Sequence, residues 1–146
     1  MRPYRLNEAD IQIPEEWRDT TINAFVLPGE EGGGAASFVV TRDADGADME
    51  LQAYADQQLV KAAQQLPSYA LVSRVIRTMA GQPAVQSDYT WLTPERAMVR
   101  QRQACLRHGN LFVVLTLTAR DATFSTYEPV WSQVIDTLRL VPNGNK

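Results

Sequence analysis

Apolar and polar positions along this chain alternate mostly with the period of two that a strand imposes on its two faces, and follow helical spacing in only two stretches. Alternation or short apolar runs bounded by turn residues predict strands at Tyr4–Leu6, Asp10–Ile13, Ile22–Leu27, Ser37–Thr41, Leu71–Met79, Ala84–Leu92, Met98–Arg107 and Leu111–Thr118. Arg107-His108-Gly109-Asn110 has the chemistry of a tight hairpin turn, and Pro28 to Gly34 that of a glycine-rich loop between two strands. Hairpin connections imply antiparallel pairing.

The first helical stretch runs from about Asp48 to Leu66, with Leu51, Ala55, Leu59, Ala62, Ala63 and Leu66 at helical spacing and Pro67 as its stop. The second starts at a capping box, Ser125-x-x-Glu128, places Pro129 in its first turn, and carries Tyr127, Val130, Trp131, Val134, Ile135 and Leu138 as one stripe. The expected fold class is therefore α+β, a mostly antiparallel sheet flanked by two main helices, in a single domain over residues 1–142 followed by a polar tail, residues 143–146.

Two helices cannot cover both faces of such a sheet completely. Ile22-Asn23-Ala24-Phe25-Val26-Leu27 and Phe38-Val39-Val40 are apolar at both alternating sets of positions, so the uncovered surface is expected there. Exposed apolar patches of this kind commonly mark a binding surface.

Composition narrows the functional classes. The 146 residues include 45% hydrophobic and 21% charged side chains, with a formal net charge of -3 and a pI near 5.1. No overall positive field therefore draws the chain to nucleic acid or to an anionic membrane. The apolar runs fall far short of the roughly 18 residues of a membrane span. Charge and proline occupy Met1 to Glu8, where a signal peptide would carry its apolar run, so a cytoplasmic protein is expected.

Catalytic chemistry is poorly supplied. His108 is the single histidine and lies in a turn, and Cys105 alternates along a strand like a half-buried packing residue, so neither a nucleophilic site nor a structural zinc site is expected. The acids from Asp43 to Glu50 lack the glycine and final glutamate of a calcium loop. Gly32-Gly33-Gly34 lacks the Lys-Ser/Thr of a phosphate loop. Arg74, Arg77, Arg96, Arg100, Arg102 and Arg107 form a locally basic region, expected as a solvated face or as ion-pair partners. Gln57, Gln58, Gln64, Gln65, Gln101 and Gln103 offer neutral donors and acceptors without the desolvation cost of full charges.

The N-terminal run Tyr4-Arg5-Leu6-x-Glu8-Ala9-Asp10-Ile11-Gln12-Ile13-Pro14-x-x-Trp17-x-Asp19-x-x-Ile22-Asn23 resembles that of the Eag chaperones of bacterial type VI secretion, members of the DcrB-like group. The likeness continues through Ala36-Ser37-Phe38-Val39-x-x-Arg42-Asp43, Gln58-Leu59, Gln65-Leu66-Pro67, Asp88-Tyr89-x-Trp91, Arg100-Gln101 and Glu128-Pro129-x-Trp131, and so spans nearly the whole chain.

That resemblance implies a Mog1/PsbP-like sandwich assembled as a homodimer, without enzyme activity or cofactor. It implies a client as well: the N-terminal transmembrane helices of secreted effectors that carry a PAAR domain, often with an Rhs cage, kept from water until the effector is loaded on the VgrG spike. Ile22 carries over as a groove residue, with Ala24 on the same strand face where relatives can hold a larger aliphatic residue; together with the shortage of covering helices, the resemblance implies that Ile22 and Ala24 face a partner and Phe25 and Leu27 the core. Gln58 and Gln101 carry over as polar contacts to the client. Phe38 and Val40 are added from the neighbouring apolar strand. The contrasting expectations are an envelope-associated DcrB-like or PsbP-like protein, a small ligand-binding domain using the same apolar face, and an apolar strand that serves only a dimer interface.

Overall fold

In the computed structural model, residues 1–28, 36–46 and 48–142 are described. The glycine run and the polar tail expected from the sequence lie outside the described residues. Strands β1 (Arg2–Arg5), β2 (Asp10–Ile13), β3 (Asn23–Leu27) and β4 (Ala36–Asp43) precede helix α1 (Leu51–Gln65). Strands β5 (Ala70–Met79), β6 (Gln82–Leu92), β7 (Met98–His108) and β8 (Leu111–Arg120) follow, then a 3-10 segment, Asp121–Tyr127, and helix α2 (Glu128–Thr137). Each stretch expected to be a strand overlaps one, with the largest displacement at β1, which starts two residues earlier, and the α+β class holds.

β1 and β2 pair as a separate antiparallel ribbon, while the other six strands form one sheet in the order β3-β4-β8-β7-β6-β5 with every neighbouring pair antiparallel. The meander from β5 to β8 follows from tight turns. Gly109, at φ 61°, starts the two-residue turn between His108 and Leu111, as a type II′ hairpin requires. The β5–β6 turn places Ala80 at φ 52° and Gly81 at φ 77°, the pair of left-handed residues that defines type I′. Alanine is strained there, because its Cβ crowds the following carbonyl. Ala80→Gly is therefore expected to stabilise the domain by roughly 0.5–1 kcal/mol, read as a higher urea midpoint at unchanged m-value.

Register sorts the side chains into two faces. On one, β8 presents Leu115, Leu117 and Ala119 beside Ala36, Ala104, Leu106 and Met79, covered by Phe124, Trp131 and Ile135 from the C-terminal segment and α2. On the other, Phe112, Val114 and Cys105 meet α1. The Tyr54 ring stacks on Phe112 at 4.0 Å between centroids, and its Oη donates to Asp43 Oδ2 at 2.8 Å. Gly46 makes this approach possible, because a Cβ at that position would meet the Tyr54 ring at 2.8 Å.

The helix is tied to the β5–β6 side of the sheet at two points. Arg74 of β5 is ion-paired to Asp56, and past the helix end the Leu92 N–H donates to the Pro67 carbonyl at 2.9 Å. Its contacts with the sheet concentrate on β6 and β7. The two helices thus lie on opposite faces, and α1 covers only part of its own.

The capping box expected at α2 does not form. The 3-10 segment enters the helix directly, Tyr127 is the N-cap, and no side chain caps it. Glu128 instead accepts from Arg102, Nη2 to Oε1 at 2.8 Å and Nη1 to Oε2 at 3.1 Å, because a bidentate charge-assisted pair outcompetes a neutral cap. Arg102 stands opposite Asp88 in the β6–β7 register and donates from Nε and Nη2 to Oδ1 and Oδ2 at 2.9 Å each. Arg100 adds Nε and Nη2 to Oδ2 at 3.0 and 2.6 Å. Both guanidinium groups lie 5.2 Å from the Phe124 ring centroid. Two of the expected ion-pair partners, Arg102, which is buried, and Arg100, which is partly exposed, thus join a network around buried Asp88 that fastens α2 to the sheet.

Candidate functional site

Two cross-strand rows run from the part of the α1-side face that the helix leaves open, on β3, β4 and β8, to buried ends on β6, where Ser87 and Tyr89 are 2% and 3% exposed. One passes through Ala24, Val39, Thr116, Gln103 and Ser87, the other through Val26, Ser37, Thr118, Gln101 and Tyr89. Every member is apolar, a hydroxyl or a neutral amide. The strand end supplies the apolar rim, with Val26 79% and Ile22 62% exposed.

This chemistry follows from alternation along each strand. β4 places Ser37 and Val39 up and Phe38 and Val40 down. β8 places its hydroxyls Thr116 and Thr118 on the open face and its leucines in the core. In β7, Gln101 and Gln103 are up, while Arg100 and Arg102 turn down to Asp88. All charges of the central strands are thereby taken away from these two rows.

Gln101 is held in place. Its Oε1 accepts from Trp91 Nε1 at 2.6 Å, and its Nε2 donates to the Tyr89 hydroxyl at 3.2 Å. Burial pushes the Tyr89 phenol up to about 12, with smaller contributions from Tyr69 and Cys105, so it stays neutral. Gln58 lies on the same helical stripe as Tyr54 and Leu59, and its Nε2 is buried without a hydrogen-bond partner among the described residues. A buried amide donor without a partner is costly, so Gln58 is ready to bond to a group brought from outside.

The structure thus places Ala24 and Gln101 on the open face, with Ile22 at its rim and Gln58 on the sheet-facing stripe of α1. It does not bring Phe38 and Val40 to them. Phe38 pairs with Phe25, packs edge-on to Trp131 at 6.3 Å, and with Val40 lies against the core on the opposite face. The physical reason is phase: Phe38 stands opposite Leu117 and Val40 opposite Leu115, which point into the core. Leu27 packs against that core as expected, whereas Phe25, which shares its face, stays 56% exposed at the sheet edge and is not a core residue. Val26, Val39, Ser37, Thr116 and Thr118 belong to the open face and were not singled out; the alternation of β4 held the signal, but its phase requires the pairing.

On the core side, Phe25, Leu27, Phe38, Leu117, Val130, Trp131 and Val134 line an apolar groove of about 400 Å³ between β3 and α2. Cys105 is buried, and desolvation pushes its thiol up to about 12, so a thiolate nucleophile is not available there. Among the described residues no three His, Cys, Asp or Glu side chains converge as a metal site. None of their helices is long and apolar enough to cross a membrane.

Residues 8–137 match the DcrB family. Effector EagT6 of Pseudomonas aeruginosa is 38% identical over 138 residues, which cover 94% of this chain and 95% of that one. The crystal structure of PA94, a Pseudomonas aeruginosa protein of unknown function, superposes with a TM-score of 0.85 at 37% identity, covering 98% of this chain and 99% of its own. LpqN of Mycobacterium tuberculosis, involved in cell envelope biogenesis, matches at a TM-score of 0.54 and 18% identity over 85% of each chain, a likeness of fold alone. The chain therefore belongs to the DcrB family and is an Eag-type protein.

Proposed function

We propose that this chain is a cytoplasmic chaperone of type VI secretion, without enzyme activity, that binds the N-terminal transmembrane helices of a PAAR-containing effector and shields them from water until the effector is loaded on VgrG. The observation that carries this reading is the open sheet face of small apolar, hydroxyl and amide side chains, rimmed by Ile22 and Val26, from which the central charges are turned away.

Transmembrane helices pack through small residues and interhelical hydrogen bonds. A floor of Ala24, Ser37, Thr116 and Thr118 allows close approach, and Gln58 and Gln101 supply neutral polar partners. If about 1,000 Å² of apolar client surface were covered, the gross transfer term would be about 25 kcal/mol. Ordering and association would offset a large part of it.

Co-expression with the N-terminal segment of an effector encoded beside this chain tests the reading. The segment is expected to remain soluble and co-purify, and to precipitate without the chaperone. Gln58→Ala is expected to reduce recovery of the segment at least about threefold while the chaperone's own melting temperature is maintained or raised, since the variant removes an unpaired buried donor. A segment equally soluble with and without the chain would refute the function.

A further inference from the structure

A polar cleft of about 320 Å³ lies between the N-terminal segment and the end of β4, lined chiefly by Arg2, Trp17, Arg18, Asp19, Arg42 and Asp45. Its carboxylates are engaged. Asp45 pairs with Arg18 at 2.8 Å, and Asp43, at the same end of β4, accepts from the Tyr54 hydroxyl at 2.8 Å and the Asp45 N–H at 2.9 Å. Asp19 accepts from the Tyr4 hydroxyl at 2.8 Å and the Thr21 N–H at 2.9 Å.

Two of its arginines are not. Among the described residues, neither Arg2 nor Arg42 has a carboxylate within ion-pair distance, although both are partly buried. Arg2 donates from Nη2 to the Trp17 carbonyl at 2.8 Å, and its Nε is buried without an acceptor. Arg42 reaches the carbonyls of Thr21 and Val40 from Nη1, at 3.3 Å each. A guanidinium has five donors and a permanent charge, and partial desolvation without a counter-charge is costly. The cleft therefore lacks an anion. Beside it stands an apolar wall: the Trp17 backbone is fixed by its N–H to the Pro14 carbonyl at 3.2 Å and by Arg2, while the residue stays 58% exposed.

The walls decide which anion. Arg2, Arg18 and Arg42 are balanced in number by Asp19, Asp43 and Asp45, so a phosphate dianion or a polyanion would be repelled, whereas one carboxylate matches the planar fork of a guanidinium. Thr20 also lines the cleft, two residues before the exposed rim residue Ile22 and so at most about 7 Å from it along the chain. We propose that the Arg2–Arg42 cleft binds an aspartate or glutamate side chain of the polar segment that flanks the client's apolar helix. This assignment rests on the chaperone reading and adds direction to it. An apolar face contributes area without orientation, while a charged pair at one end fixes register.

The test uses the complex of the full chain with a labelled N-terminal segment of the effector encoded beside it, prepared with its flanking polar residues. The readout is the rate at which the segment transfers to excess untagged wild-type chaperone. Arg2→Gln combined with Arg42→Gln is expected to raise that rate roughly tenfold, as for loss of hydrogen bonds to a charged group. Replacing the segment's flanking acids by their amides is expected to raise it equally, and the two changes together no further, the mark of one shared interaction. Arg5→Gln, on the same ribbon but outside the cleft, should leave the rate unchanged. If Arg42→Gln unfolds the chain, Arg2→Gln alone and the amide segment give the same comparison. Unchanged rates, effects that simply add, or a segment without an acid within about five residues of its apolar helix overturn the cleft assignment and leave the chaperone reading standing. Failure of the wild-type chain to form any complex overturns the chaperone reading, and the assignment with it.

Discussion

Replacing Ile22 by aspartate is expected to weaken client capture at least about 100-fold, close to 3 kcal/mol, with almost no change in the domain's own melting temperature. The two effects separate because Ile22 is 62% exposed and packs in neither core cluster. Surface substitutions at such sites typically change stability by less than about 0.5 kcal/mol. In the complex, however, an unpaired carboxylate would lie against apolar helix surface, and the desolvation of that charge opposes binding. Titration of a labelled effector segment, together with a thermal melt of the free variant, checks both halves. Undiminished capture would remove Ile22 from the client surface.

Arg102→Met is expected to lower stability by about 3 kcal/mol, within the range for breaking a buried pair, and the melting temperature by about 10 °C for a domain of this size. Asp88 is 1% exposed. Burial pushes its carboxyl upward, and the hydrogen bonds and charges of Arg102 and Arg100 outweigh that effect and hold it below its ordinary value. A depressed carboxylate contributes stability that is present above its unfolded pKa of about 3.9 and lost as pH falls through the folded value. The gap between wild type and variant should therefore be full at pH 7 and narrow below about pH 4. Urea unfolding at both pH values measures it, and a gap independent of pH would mean that the loss arises from packing alone.

Much of the fold was legible because it is locally encoded. The β5–β8 meander is marked by Gly81, Gly109 and regular alternation, and α1 by its stripe and by Pro67. The face of β4 was not legible, since Ser37/Val39 and Phe38/Val40 are each consistent with burial and only pairing with β8, some 70 to 80 residues later, selects Phe38 and Val40 for the core. The Asp88 network escaped for the same reason. Asp88, Arg102 and Glu128 are far apart in sequence, and a capping box is the local reading of Glu128 until Arg102 is placed beside it. The open face is legible as a consequence of having too few helices, and its membership only from register.

The late partner of β4 also affects synthesis of the chain. The β3 and β4 segments leave the ribosome well before the strand that pairs with β4, whose contacts run from Asp43↔Phe112 to Ser37↔Thr118. At about 5–20 residues per second, the intervening stretch takes roughly 4 to 16 s to emerge. For that interval the nascent chain exposes the apolar β3 and β4 segments with no sheet to receive them. A chain stalled before Leu111 would itself be a substrate for the cell's general chaperones.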